Sequence, residues 1–349
     1  MKSIFLIWLF TTIYLYILLC YTVRKRKGMV PVNFTSLRYF LVTAEELNIT
    51  HAAGRLYISQ QALSSHIGKL EKELNVSLFN RTPVLSLTYA GRQLVEYATK
   101  AVNLERQIYQ MSGDINHDQR GELRVGISHT CGRAILPSIL PAFRSQHPMV
   151  DIVLREENST DMENALEHGE LDLMIDFTPI PLDGVRYEKL IEERLFLVVP
   201  KAMMQARYGA CQDAIVSECD RDLDLTLFEH FPFILLRKGN RVRTMLDHYM
   251  AKIGFTPKII LEIENTETAF ALAEQGMGVT VYPELFLWCI PEGGRKRDVV
   301  DLFPFRIEDT TGTLVVAWMQ DHYQTRAASE FIDACHSSIS AIEEKQSGI

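Results

Sequence analysis

The sequence predicts an α/β protein that opens with an all-α domain. Three patterns carry this expectation. Residues 34–74 hold three runs of apolar residues at helical spacing, and residues 88–117 hold a proline-free heptad repeat. From Gly121 onward, short apolar strands alternate with amphipathic helices. At 349 residues the chain can hold two or three domains with sizeable cores. Its 47% hydrophobic and 23% charged composition is that of an ordinary globular protein.

Leu37, Phe40, Leu41, Ala44 and Leu47 mark the apolar face of a first helix. Thr50 is placed to cap a short second one, with small Ala52 and Ala53 and Leu56 facing inward. Tyr57-Ile58-Ser59 makes a tight connection, and Ser59 stands as the N-cap of a third helix. Leu63, Ile67, Leu70 and Leu74 form its buried stripe, while Gln60, Gln61, Ser64, Ser65, His66 and Lys69 occupy the opposite face. Those are hydrogen-bonding groups rather than the Glu–Lys pairs of a solvated helix. Leu85 and Leu87, alternating within Leu78–Leu87, suit a small β-wing. Three helices and a wing make a winged helix-turn-helix, which presents the first turn of its third helix to base edges in the major groove. Gln can pair bidentately with adenine, and Ser or His can reach a base or a phosphate. For the third helix taken alone, an ordinary amphipathic surface helix competes; the two helices before it favour the DNA-binding fold.

Residues 34–92, from FTSLRYFLVTAEELNITHAAGRLYISQQ through LFNRTPVLSLTYAGR, resemble the DNA-binding domain of the LysR-type transcriptional regulators. The matching marks are Leu37-Arg38-Tyr39-Phe40, Ala52-Ala53, Leu56, Ser59-Gln60, Ala62, Ser64, Ile67, Leu70-Glu71, Leu74, Leu78-Phe79, Arg81, Leu87-Thr88 and Ala90-Gly91. The resemblance implies double-stranded DNA as partner, with Ser59, Gln60, Gln61, Ser64, Ser65, His66, Lys69 and Arg81 as its contacts. Two places depart from the family pattern. Leu47-Asn48 stands where a Gly-Ser pair is usual, and the wing residues Thr82-Pro83-Val84 are neutral where the family is often basic.

The formal net charge of −8 argues against nucleic-acid binding only if taken whole. Residues 29–120 carry nine Lys/Arg against eight Asp/Glu, and the acid excess lies beyond Gly121. A faintly positive DNA-binding part implies weak non-specific affinity. Cys20, Cys131, Cys211, Cys219, Cys289 and Cys335 are dispersed and outside any CxxC spacing, as for thiols in a reducing compartment, so neither a disulfide framework nor a metal site is expected.

Ile4–Val23 is an almost unbroken apolar run followed by Arg24-Lys25-Arg26-Lys27. It is long enough to span a bilayer as a transmembrane helix at 4–23, and its basic flank would hold the following domain in the cytoplasm, tethered to the inner membrane. The positive charge follows the apolar run and no small-residue cleavage site is evident, so a secretory signal fits poorly. Alternatively, residues 1–28 are translated leader and Met29 is the start. That expectation is preferred, because LysR-type chains begin a few residues before the first helix and codons for Arg26-Lys27-Gly28 can mimic a ribosome-binding site.

Leu94, Ala101, Ile108 and Ile115 repeat every seven residues, and so do Tyr97, Leu104 and Met111. This is an a/d seam over about four heptads. A single core-facing helix competes; the family resemblance favours a linker helix over 88–117 that joins two chains through Leu94, Tyr97, Ala101, Leu104, Ile108 and Met111. Asp118-Gln119-Arg120-Gly121 reads as a hinge.

Strands are expected at Glu122–Ser128, Asp151–Glu157 and Leu171–Phe177, with helices at Gly132–Gln146 and Asp161–His168, giving a parallel sheet covered on both faces. A second set follows: strands Phe233–Leu236, Lys258–Ile263 and Val279–Val281, helices Arg241–Ile253 and Thr266–Glu274. Leu314–Trp318 and a helix from Thr325 to Ile342 close the chain. This order is similar to the two-lobed, periplasmic-binding-protein-like effector domain of the LysR family, with lobe I at 121–192 and 299–349 and lobe II at 193–298. Residues 201–227 are longer than that connection usually is.

Such a fold holds a ligand between its lobes, where helix starts favour an anion. Ser128, His129, Thr130, Thr178, Asn240, Arg241, Asn265 and Thr266 are therefore expected around a small, carboxylate-bearing effector, although each Ser, Thr or Asn alone is equally well an N-cap. Cys131 adjoins them; a thiol activated by the helix start competes with a plain half-buried cysteine. Peroxide-sensing members carry a reactive cysteine in the loop that here reads Arg237-Lys238-Gly239-Asn240-Arg241, so that switch is not expected.

No nucleophile elbow and no glycine-rich phosphate loop after a strand occurs, so neither catalysis nor a cofactor is expected. The sequence is read as a cytoplasmic, homodimeric or homotetrameric transcriptional regulator that answers to a small-molecule effector, with RNA polymerase as a further partner. A membrane-anchored solute-binding protein and a membrane-tethered regulator are the rivals.

Overall fold

In a computed structural model the described residues are 32–116, 121–288 and 301–347. The apolar segment 4–23, Met29 and the hinge at 118–120 lie outside them, as does the side chain of Thr130. The chain divides into two compact units, one running to Glu105 and the other from Arg106.

The first unit begins with α1 (Phe34–Glu46), capped by Asn33 accepting from the Ser36 N–H at 2.7 Å. Leu47 ends it in the left-handed region. Helix α2 (Ile49–Arg55) starts earlier than the sequence suggested. Asn48, not Thr50, is the cap, because its side-chain oxygen accepts from the N–H groups of both Thr50 and His51. The α2 end is a Schellman turn: the Ile58 N–H donates to Ala53 O at 3.1 Å and the Tyr57 N–H to Gly54 O at 3.2 Å. Ser59 then caps α3 (Gln60–Leu74) by accepting from the Ala62 N–H at 3.1 Å.

Leu37, Phe40, Ala52, Ala53, Leu63, Ile67, Leu70 and Leu78 are buried together as this unit's core. The small side chains at 52 and 53 let α2 pack closely against α1 and α3. Strands β1 (Phe79–Asn80) and β2 (Ser86–Leu87) pair antiparallel as the wing. Glu71 ties the wing to α3: one carboxylate oxygen accepts from the N–H groups of Leu78 and Phe79, and the other pairs with Arg81 at 3.1 Å. Helix α4 (Tyr89–Ile115) follows directly. Thr88 Oγ1 accepts from the Gly91 N–H at 3.0 Å and donates to Ser77 O, and a Cβ at Gly91 would collide with the Leu78 carbonyl. The start of α4 therefore sits tightly on the wing.

In the second unit a six-stranded sheet has the order β4-β3-β5-β10-β6-β9. Strands β3 (Gly121–Ile127), β4 (Val150–Glu156) and β5 (Leu173–Phe177) are parallel, as the alternating pattern predicted. The other half departs from that expectation. β6 (Val185–Pro200), which the sequence did not announce, and β10 (Leu302–Met319), more than three times as long as expected, pair antiparallel along their length, and β9 (Thr280–Pro283) pairs antiparallel with β6. Helices α5 (His129–Gln146) and α12 (Arg326–Ser347) pack on one face, with the Phe143 and Phe331 rings edge to face at 5.2 Å. Helix α6 (Ser159–Glu167) covers the other, burying Met162 and Leu166 against Met174, Val315 and Ala317.

The second lobe is built on β7 (Pro232–Leu236) and β8 (Lys258–Ile263), which are parallel, with α9 (Arg241–Ile253) and α10 (Thr266–Glu274). Phe233 bridges to Val279, joining β7 to the approach of β9. The residues of unassigned length fold as α7 (Lys201–Tyr208), α8 (Gln212–Cys219) and two 3-10 turns. Short α11 (Glu284–Trp288) follows β9. The long strands β6 and β10 run through both lobes, and their register slips between Leu195↔Ile307 and Glu193↔Gly312. Beside that slip Thr310 Oγ1 accepts from the Leu195 N–H and donates to Ile307 O, and Glu193 accepts from the Leu285 N–H.

Candidate DNA-binding surface and effector cleft

The polar face of α3 is open. Ser59, Gln60, Gln61, Ser65 and Lys69 are exposed, and Ser64 and His66 are partly so. Four of the expected contacts already have partners, Ser59 through its cap on the Ala62 N–H. The His66 ring meets Tyr39 of α1 edge-on at 4.8 Å, Lys69 lies 3.9 Å from Glu73, and Arg81 is held by Glu71. Gln60 and Gln61, on the first turn, are exposed.

The heptad positions of α4 divide into two sets. Leu94 and Ala101 pack partly into the first unit's own core, where Ala98 is buried. Tyr97, Leu104, Ile108, Met111 and Ile115 form a stripe that stays 39–67% exposed. On another face Arg106, Gln110 and Asp114, spaced by four, are anchored within the second unit. Arg106 makes a bidentate pair with Asp172 at 2.9 and 3.2 Å, Gln110 donates to Glu122 O at 2.8 Å, and Asp114 accepts from the Arg326 N–H at 3.0 Å.

The expected effector residues stand mostly at helix starts. Ser128 caps α5, accepting from the Cys131 N–H at 3.4 Å; Asn240 caps α9 and Asn265 caps α10. Thr266 is buried, and the Thr178 N–H, just after β5, donates to Thr313 O. His129 is exposed with Nδ1 3.3 Å from Glu156. Arg241, expected to face a ligand carboxylate, is instead buried in an ion pair with Glu163 of α6, and its backbone N–H donates to Ser159 Oγ at 3.2 Å. Arg133 of α5 pairs with Glu267 of α10 at 2.5 Å. The two lobes therefore touch at the starts of α6 and α9, and again between α5 and α10.

Acidic groups that sequence reasoning missed line this junction. Asp176 on β5 is almost wholly buried; burial pushes its carboxyl above the ordinary range, while a hydrogen bond from Ser159 and the Arg241 charge oppose the shift. Burial likewise raises Glu163, against the pull of Arg241. An aspartate inside the apolar run LMIDF was the one sequence signal available. Cys131 is fully buried and desolvation pushes its thiol up, the opposite of an activated thiol and in line with a plain buried cysteine. Among the described residues no group of His, Cys, Asp and Glu is arranged to hold a metal ion.

A winged helix-turn-helix followed by a two-lobed α/β domain defines a DNA-binding regulator with a ligand-binding domain. Residues 34–92 match the bacterial regulatory helix-turn-helix proteins of the lysR family, and residues 116–340 match the LysR substrate binding domain. The chain belongs to the LysR family of transcriptional regulators. It is 28% identical over 314 residues to an uncharacterized HTH-type transcriptional regulator, YcgK of Bacillus subtilis, covering 87% of this chain and 94% of that one. It is 27% identical over 255 residues to a probable RuBisCO transcriptional regulator of Trieres chinensis, covering 71% and 79%. Among solved structures, a full-length OxyR variant of Pseudomonas aeruginosa shares the fold with a TM-score of 0.62 and 23% identity, covering 88% of this chain and 95% of that one. Full-length CbnR complexed with its target DNA does so with a TM-score of 0.60 and 21% identity, covering 88% and 100%.

Membership in a family of DNA-binding regulators leaves the solute-binding rival without support. Among the described residues no helix is long and apolar enough to cross a membrane; the apolar run 4–23 lies outside them.

Proposed function

We propose that this regulator recognises its operator through the first turn of α3 and binds as a dimer joined along α4. The open polar face headed by Gln60 and Gln61 carries this proposal. Ser64 and Ser65 extend the contact along the groove, and Ser59 lies at its entry. The exposed stripe Tyr97, Leu104, Ile108, Met111 and Ile115 supports the helix pair, because apolar residues repeating every seven positions are covered best by a like helix. Pairs of such dimers, contact with RNA polymerase and a cytoplasmic setting belong to the same proposal.

The effector is a small carboxylate taken up between the lobes. It meets the starts of α5, α9 and α10 near Ser128, Asn240 and Asn265 and competes with Glu163 for Arg241. Its binding changes how the lobes meet along β6 and β10, and the anchored end of α4 passes that change toward the DNA.

Footprinting on the intergenic DNA upstream of the protein's own coding sequence tests the operator claim. Protection of two half-sites on one DNA face, separated by whole helical turns, is expected for a two-fold dimer. Uniform protection along the fragment would count against it.

A further inference from the structure

We propose that Tyr57 is a phosphate-contacting residue, its phenolic hydroxyl donating to the DNA backbone beside the groove that α3 enters. Tyr57 lies in the turn between α2 and α3, two residues before the cap Ser59. The residue is 96% exposed. Its φ is +54°, in the left-handed region, at the position of a Schellman turn that glycine ordinarily fills. A bulky side chain is unfavourable there. With so little of the ring covered, packing within the domain returns almost nothing for that strain. A partner outside the domain accounts for an aromatic residue at this place.

The charge arrangement of the same unit indicates which partner atom. Of the basic residues in 32–105, Arg38 pairs with Glu105, Arg55 with Glu45 and Glu46, Lys69 with Glu73, Arg81 with Glu71, and Lys100 with Glu96. Lys72 and Arg92 are left without a carboxylate partner among the described residues. Free cations are therefore scarce where a DNA-binding domain normally holds phosphates. Neutral donors must supply much of that grip, and tyrosine hydroxyls are among the side chains that do so. The turn before a recognition helix flanks the groove, which brings Tyr57 to a backbone phosphate rather than to a base edge. A phenol contact of this kind releases no counterion.

The test uses the full chain and two duplexes of equal length, the intergenic DNA upstream of its own coding sequence and a scrambled version. Tyr57→Phe removes only the hydroxyl. It is expected to weaken binding to both duplexes by the same factor, about tenfold or more for a lost hydrogen bond to a charged phosphate. The slope of log affinity against log salt should stay as in the wild type. Tyr57→Gly removes the ring and the strain together, so its melting temperature should equal or exceed the wild type while DNA affinity falls. Wild-type affinity in Tyr57→Phe on both duplexes would overturn the proposal. A loss confined to the native duplex would overturn it too, by placing the tyrosine on a base. A lower melting temperature in Tyr57→Gly would make Tyr57 a structural residue instead.

Discussion

Glu163 of α6 and Arg241 of α9 form a buried ion pair that joins the two lobes of the ligand-binding domain. Ser159 reinforces it by accepting from the Arg241 backbone N–H, and the buried carboxyl of Asp176 lies in the same cluster. Taking both charges out of water is costly, and their attraction offsets this only while both are present.

Arg241→Met should therefore destabilise the domain by about 3–5 kcal/mol, because Glu163 would remain buried without its cation. Adding Glu163→Met should restore much of the loss, since an apolar pair carries no desolvation cost. Urea denaturation of the two variants measures this. Equal stability of the single variant and the wild type would show that the pair contributes nothing to the lobe contact.

Glu193 sits at the register slip of β6 and β10, and burial pushes its carboxyl up to about 8. The folded protein then keeps a proton that the unfolded chain gives up, so this group's contribution is complete at pH values below about 4.5 and declines as pH rises toward 8. Glu193→Gln keeps an acceptor for the Leu285 N–H and removes the titration. Its melting temperature should exceed the wild type's by several degrees above pH 8 and match it near pH 5. A constant difference across that range would assign the effect to packing alone.

The helical half of the fold was legible because its signals are local. Ser59 before an apolar stripe marks α3, and the seven-residue repeat from Leu94 marks α4; α9, α10 and β8 fall on their expected bounds. The long strands were not legible. In β6 the segment VRYEKLIEERLFLVVP begins with charges on an exposed stretch and turns wholly apolar where β9 covers it, so no single period runs through it. The site was legible only in part. Ser128, Asn240 and Asn265 are recognisable as helix starts, but which acid meets Arg241 depends on a contact 78 residues away in sequence.

Leu104→Glu places a carboxylate in the exposed apolar stripe of α4. The dimer should weaken or dissociate, because the new charge would be buried unpaired in the helix pair. Sedimentation velocity measures the change in mass. An unchanged dimer would move the interface to another surface.

Thiol accessibility checks the cysteine assignments. Cys211 is exposed and should react with iodoacetamide in the native protein, whereas buried Cys131, Cys219 and Cys335 should react only after denaturation. Rapid labelling of Cys131 in the native state would restore the activated-thiol alternative.

The central claim is that α3 reads bases through its first turn. The direct measurement is the ratio of affinities for the protein's own upstream DNA and for a scrambled duplex, in the wild type and in Gln61→Ala at one salt concentration. A good base contact is worth about 1–3 kcal/mol of discrimination, so the ratio should fall roughly ten- to a hundredfold while binding to the scrambled duplex barely changes. An equal loss on both duplexes, or an unchanged ratio, would contradict base reading by Gln61.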